Sequence, residues 1–322
     1  MTSIDHLLPE PDQVLRCAEH QRFLGVDPGG TAIRADRVVL VKTPLPWPKP
    51  VADHPHLAPM AAILKASSVP TRTLAYTSGS VYGSGNGDGS PAAPVITFDR
   101  SDPGTVVERR YPADTVEARI RLATALAEDD TGLLASLAVH DRPLVSPVAL
   151  VCTQGSHDVC CGSEGARFAA DAEAISDLTV YRVSHTGGHR FAPTAMTLPN
   201  GRMWADLDVP LLRQILSRTG DAAEVVDRCR GWWGVPTGPA QLAERAVLAA
   251  DGWALEDRDR TVEVGDDHDG TATCVVSDGE RAWSVAVTAA RTVPTIACRQ
   301  PGGLPAKPAT EYRAGRGGAV SG

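Results

Sequence analysis

Two short motifs constrain this chain more than any other feature. VCTQGSHDVCCG places Cys152 and Cys161 with eight residues between them just after the apolar run Val148–Val151, and HTGGH places His185 and His189 on either side of Thr186, Gly187 and Gly188. Two thiolates and two imidazoles are the donor set of one metal centre. A [2Fe–2S] cluster needs four terminal ligands, two per iron, because the bridging sulfides fill the other corners of each tetrahedron. Replacing two thiolates by neutral imidazoles brings the oxidised cluster from a formal charge of minus two to zero, which raises the potential. A neutral cluster is also easier to hold in a low-dielectric pocket. The spacings therefore point to a [2Fe–2S] site with Cys152, Cys161, His185 and His189 as ligands.

Gly187 and Gly188 oppose a helical ligand pair, since each glycine in a helix interior costs about 1 kcal/mol. A loop is expected instead, with glycine permitting positive φ and close backbone approach. The same reasoning applies to Gly155 and Gly162 in the cysteine loop. A histidine ligand whose second nitrogen meets water would couple electron to proton transfer, because its proton affinity follows the charge on the iron.

Other readings of the four residues stand beside this one. Zinc accepts Cys₂His₂ and the H-x₃-H spacing, but its structural sites bring the cysteines only two to four residues apart. A disulfide at Cys152 conflicts with a reducing compartment, and a Cys–His dyad would leave two of the four residues without a role. Cys160 competes with Cys161, and if the backbone is extended there, only one of the two faces the metal.

VCTQGSHDVCCG and HTGGHRFAPT resemble the two motifs of the sucrase/ferredoxin-like family, whose members carry a thioredoxin-like ferredoxin domain. The resemblance extends through GTAIRADRVVLVKTPLPWPKP and LPNGRMWADLD, covering roughly residues 15–220. It implies bis-histidinyl, non-Rieske [2Fe–2S] ligation by Cys152, Cys161, His185 and His189. One departure is Gln154, where the family commonly has His; another is His157, where a basic residue is usual. The word "sucrase" in the family's name implies little here, because no pair of carboxylates flanks a recognisable sugar cleft.

Periodicity supports an α/β fold. Ser146–Cys152 and Leu178–Val183 read as strands around a helix at Ala166–Ile175, followed by a hairpin turning at Pro199-Asn200-Gly201 and a helix at Val209–Arg218. This is a thioredoxin-like order, which brings both metal loops to one end of the sheet. The upstream half repeats it without cysteines: Arg37–Lys42, Leu57–Ala66, Thr71–Thr77, Val95–Phe98, Thr105–Glu108 and Ala113–Ala127. The expected organisation is a degenerate thioredoxin-like unit at 1–140, the thioredoxin-like ferredoxin domain at 141–220, a small α+β appendage at 221–300 and a disordered tail at 301–322. The glycine-rich stretch Tyr82–Gly89 lacks G-x-G-x-x-G spacing and any lysine, and reads as a surface loop. Trp232 and Trp233 read as core in preference to a docking patch, Asp266–Asp269 as a turn, and Cys17, Cys229, Cys274 and Cys298 as core or surface thiols.

Composition narrows the function classes. With 31 Lys and Arg against 39 Asp and Glu, a net charge of −8 leaves no basic footprint for nucleic acid or anionic lipid. No apolar run reaches the roughly 18 residues of a membrane span, and the first twenty residues lack the apolar core of a signal peptide. Seven cysteines, an odd number, read as metal ligands or spare thiols of an intracellular protein. The expectation is a cytoplasmic one-electron carrier, or the redox module of a larger reductase, serving a redox partner protein and needing no chemistry on a bound substrate. A zinc-stabilised binding module without redox function and an iron–sulfur sensor are the alternatives. Arg190, next to His189, reads either as a docking or cluster-tuning charge or as a solvated surface residue.

Overall fold

The computed structural model describes residues 4–77, 93–100, 105–236, 238–315 and the backbone of 318–320. The glycine-rich stretch Tyr82–Gly89 lies outside them. In chain order the first half comprises α1 (Cys17–Phe23), β1 (Arg37–Lys42), α2 (Ala58–Leu64), β2 (Thr71–Thr77), β3 (Val95–Arg100), β4 (Val106–Tyr111), α3 (Val116–Glu128), α4 (Thr131–Leu137) and β5 (His140–Pro143). The second comprises β6 (Val148–Cys152), α5 (Ala166–Ala172), β7 (Thr179–Val183), β8 (Ala195–Leu198), β9 (Arg202–Trp204), α6 (Val209–Ser217) and β10 (Cys229–Trp232). There follow α7 (Gly238–Asp251), β11 (Thr261–His268), β12 (Thr271–Ser277), β13 (Ala282–Thr295), β14 (Lys307–Ala314) and β15 (Gly318–Val320).

Strands β1 to β10 form one sheet in the order β10-β9-β8-β6-β7-β2-β1-β3-β4-β5. In the first half β1 runs parallel to β2 and antiparallel to β3, which pairs antiparallel with β4. The second half repeats this with β6 parallel to β7, antiparallel to β8, and β8 antiparallel to β9. Both halves are thioredoxin-like α/β units. They join edge to edge where β2 meets β7 antiparallel, through Tyr76↔Val183 and Thr77↔Arg182. Equal strand order on both sides of an antiparallel junction amounts to a local two-fold relation, and neither half leaves its β2 or β7 edge open.

Side-chain alternation decides the layers. Val39 and Val41 face Leu57, Met60, Leu122 and Leu126 under the first half's helices. Val151, Phe168, Trp204, Leu212 and Ile215 do the same in the second half. The opposite sheet face, with Val38, Leu40, Tyr76, Leu150, Tyr181, Trp232 and Trp233, is one core running across the junction. There Tyr76 and Tyr181 meet edge to face at 5.6 Å. The tryptophans are core residues, as expected.

Strands β11 to β15 form a second, antiparallel sheet, against which α7 packs through Leu242, Val247 and Leu248. A fully buried ion network ties it to the large sheet. The Glu244 carboxylate receives Arg202 at 2.8 and 2.6 Å and Arg260 at 2.6 Å, and Arg202 also bonds Glu256.

Two expectations are corrected. The tail expected to be disordered from residue 301 contributes β14, paired with β13 from Thr295↔Lys307 to Val287↔Ala314. Its local composition is that of a coil, and its order comes from a partner strand and from contacts such as Arg291 with Glu311 at 2.5 Å. The second thioredoxin-like unit, expected at 141–220, extends past 220, because β10 pairs with β9 in the large sheet.

Candidate metal centre

The parallel pair β6 and β7 positions the site. Cys152, the last residue of β6, is in register with Val183, the last of β7, so the chain leaving β7 passes Cys152 as it reaches His185. Cys161 and His185 lie close enough to Cys152 to act on its thiol. Cys161 returns to Cys152 because the cysteine loop closes on itself: a Cβ on Gly162 would lie 2.5 Å from the Gly155 Cα. Residues Cys161–Gly165 form a π-helical turn leading into α5, and Cys160 has helical φ and ψ. The two adjacent cysteines thus diverge because helical neighbours point to different sides, where an extended backbone had been considered. Cys161 faces Cys152, and Cys160 faces Cys17 and Cys298.

The histidine loop is shaped around Arg230. Gly188 has φ +64°, and a Cβ there would lie 2.4 Å from the Arg230 guanidinium carbon. That guanidinium bonds the Gly187 carbonyl at 3.2 Å and the Thr31 hydroxyl at 3.0 Å. The rings of His185 and His189 are 5.7 Å apart. His157 stacks on His185 at 3.6 Å and lies 5.6 Å from His189. The Nδ1 of His185 is buried with no hydrogen-bond partner among the described residues. His189 differs: its Nδ1 lies 2.8 Å from Asp158 Oδ2, and its side chain is 25% exposed.

The upstream half forms one wall. Gln154 donates to the Pro48 carbonyl at 2.8 Å and accepts the His185 N–H at 3.0 Å. Gln154 thereby joins both metal-motif loops to the TPLPWPKP segment. Lys49 bonds the His157 carbonyl at 3.0 Å, and Arg72 of β2 bonds the His185 carbonyl. Arg190 is half-buried; it lies over the Phe191 ring at 4.9 Å and bonds the Thr295 hydroxyl.

The electrostatics favour anionic sulfur. A hydrogen bond from Cys161, followed by His185, holds the Cys152 thiol well below its ordinary range against the effect of burial. The Cys161 thiol, beside the Cys152 charge and buried, moves up. Burial lowers the Arg230 guanidinium to about 10, and Arg72 also falls below its ordinary value, chiefly by burial. Both cations feel the Cys152 charge. Burial, then the cations and histidines around it, pushes His157 down to about 3, leaving it a neutral ring beside His185. Burial opposes the Asp158 carboxylate, yet hydrogen bonds from His189 and the Cys160 N–H keep it below the usual carboxylate range.

Sequence spacing did not reveal Arg72, Arg230 or Asp158, nor the cluster in which Cys17, Asp158, Cys160 and Cys298 bring their ligand atoms within 4.8 Å of one another. Cys17 and Cys298 had been read as core or surface thiols, and their separation along the chain hides their contact.

These features describe an α/β protein of two thioredoxin-like units with cysteine-rich ground for a metal at the sheet's end. The family model described as sucrase/ferredoxin-like matches residues 28–231, and the chain belongs to that family. No curated protein and no solved structure matches it. No helix among the described residues is long and apolar enough to cross a membrane.

Proposed function

We propose that this protein is a one-electron carrier, or the redox module of a larger reductase, which holds a [2Fe–2S] cluster through Cys152, Cys161, His185 and His189. The observation that carries this reading is the convergence of Cys152, Cys161 and His185 at the shared end of β6 and β7, with the Nδ1 of His185 buried and unpartnered. A buried imidazole nitrogen without a partner costs about 1–3 kcal/mol, and an iron ligand role removes that cost.

When bound, the cluster supplies the site that takes and gives one electron. The chain's residues set the conditions. Arg72 and Arg230 place positive charge near the thiolates and favour the reduced, more negative state. His189, held by Asp158 through Nδ1, has Nε2 left for iron, and its Nδ1 proton is shared with the carboxylate at the partly exposed side of the site. His157 and the Pro48–Lys49 segment cover His185.

Anaerobic reconstitution with iron and sulfide tests the proposal. The expected result is a reducible visible chromophore with two irons per chain and a rhombic spin signal on reduction. Colourless protein that takes up one zinc at these four residues would end it in favour of the zinc module, and loss of the chromophore within seconds in air would favour the sensor.

A further inference from the structure

We propose a second metal site, separate from the first, in which Cys17, Cys160, Cys298 and Asp158 bind a single zinc ion. The four residues come from three distant parts of the chain: the first turn of α1, the cysteine loop and the segment after β13. Cys17 and Cys160 are fully buried and Asp158 is 6% exposed. The Sγ atoms of Cys17 and Cys160 are 3.8 Å apart, those of Cys160 and Cys298 are 3.6 Å apart, and Cys17 Sγ is 3.2 Å from Asp158 Oδ2.

These three separations lie near the edges of a zinc-centred tetrahedron, and all four ligand atoms lie within 4.8 Å of one another. With zinc–sulfur bonds of about 2.3 Å and a zinc–oxygen bond of about 2.0 Å, the sulfur–sulfur edge is about 3.8 Å and the sulfur–oxygen edge about 3.5 Å. Three soft donors and one hard donor suit zinc better than calcium or magnesium. A disulfide explains less, since it needs sulfurs about 2.05 Å apart and would leave the third thiol and the carboxylate unused.

The carboxylate can serve two partners. Asp158 Oδ1 accepts the Cys160 N–H at 2.8 Å, while Oδ2 faces both Cys17 and the Nδ1 of His189. A carboxylate oxygen has two lone pairs, enough to accept from His189 and bind the ion. Zinc would then strap α1 and the β13–β14 connection onto the cysteine loop. Cys17 and Cys298 lie outside the stretch matched by the family model, so the site is not a restatement of the family match. It stands whether or not iron binds at Cys152 and Cys161.

The test uses the full chain purified under reducing conditions, with zinc and then cobalt as probes. The double variant Cys152→Ser/Cys161→Ser is expected to keep one zinc per chain. Its cobalt form should show tetrahedral ligand-field bands and a thiolate charge-transfer band of three-sulfur intensity. Cys298→Ala and Asp158→Asn should each weaken zinc binding at least tenfold. Should a variant fail to fold, the wild-type chain still decides: zinc must protect Cys17, Cys160 and Cys298 from alkylation, read residue by residue by mass spectrometry. Cobalt bands lost in Cys152→Ser/Cys161→Ser but kept in Cys298→Ala would overturn the proposal. So would equal alkylation of the three thiols with and without zinc.

Discussion

The Nδ1 of His189 lies 2.8 Å from Asp158 Oδ2, in a contact that leaves Nε2 as the ring nitrogen facing away from the carboxylate. A carboxylate partner raises the basicity of a ligating imidazole and orients it. Asp158→Asn keeps an acceptor and removes the charge, so the midpoint potential of the reconstituted protein is expected to rise. Each tenfold change in the relative affinity for the two redox states corresponds to about 59 mV for one electron. Protein-film voltammetry measures it. An unchanged or lowered potential would show that Asp158 does not act on His189.

Replacing His185 or His189 by Cys adds a formal negative charge to the cluster and is expected to retain iron while lowering the potential. Loss of iron with tight zinc binding in either variant would refute the ligand assignment. In the wild type, midpoint potentials taken from about pH 6 to 9, a window around the free histidine pKa, are expected to fall as the pH rises. A flat profile would remove coupled proton transfer at His189.

Arg230 and Gly188 form one device. Gly188→Ala forces a Cβ into the guanidinium at a backbone conformation that costs a non-glycine residue about 1–2 kcal/mol. Arg230→Met removes a buried cation that serves Gly187 and Thr31. Both variants are expected to lower cluster occupancy, and Arg230→Met to lower the potential of whatever cluster remains. Iron analysis together with voltammetry separates the two effects; full occupancy at the wild-type potential would deny Arg230 any role.

The Glu244 network links stability to pH. Burial disfavours this carboxylate, but Arg202 and Arg260 outweigh it and bring Glu244 down to about 2 from an ordinary value of 4.5. Because the folded value is the lower one, the unfolded chain binds the proton first. The stabilisation is present above about pH 4.5 and is lost as the pH falls toward 2. Glu244→Gln should cost about 3–5 kcal/mol at neutral pH, since two arginines stay buried beside a neutral amide. Urea unfolding across the acid range should show a shallower pH dependence in the variant; equal slopes would mean the network carries no such linkage.

Much of the site was legible because its signals are local. The motif VCTQGSHDVCCG carries Cys152, Cys161 and the glycines that let its loop close, and HTGGH declares a loop by placing two glycines between two imidazoles. Strands β1 and β2 begin and end where their apolar and β-branched runs do, and the hairpin turns at its Asn-Gly pair. What stayed hidden depends on distant partners. Residues 307–314 look like coil until β13 lies beside them, and Arg72 and Arg230 look like ordinary surface cations until the sheet buries them near Cys152. Asp158 reads as a loop residue until His189 arrives.

The amino-acid order by itself determined which sulfur and imidazole side chains the two motif loops carry, the thioredoxin-like succession of elements and its repetition, because spacing and period act over a few residues. Only the tertiary structure decided that the two units share one sheet through β2 and β7, that Cys160 turns away from Cys161, and that Cys17 and Cys298 meet it. Those outcomes hang on contacts between segments more than a hundred residues apart, whose pairing depends on how the whole core packs and leaves no trace in local sequence.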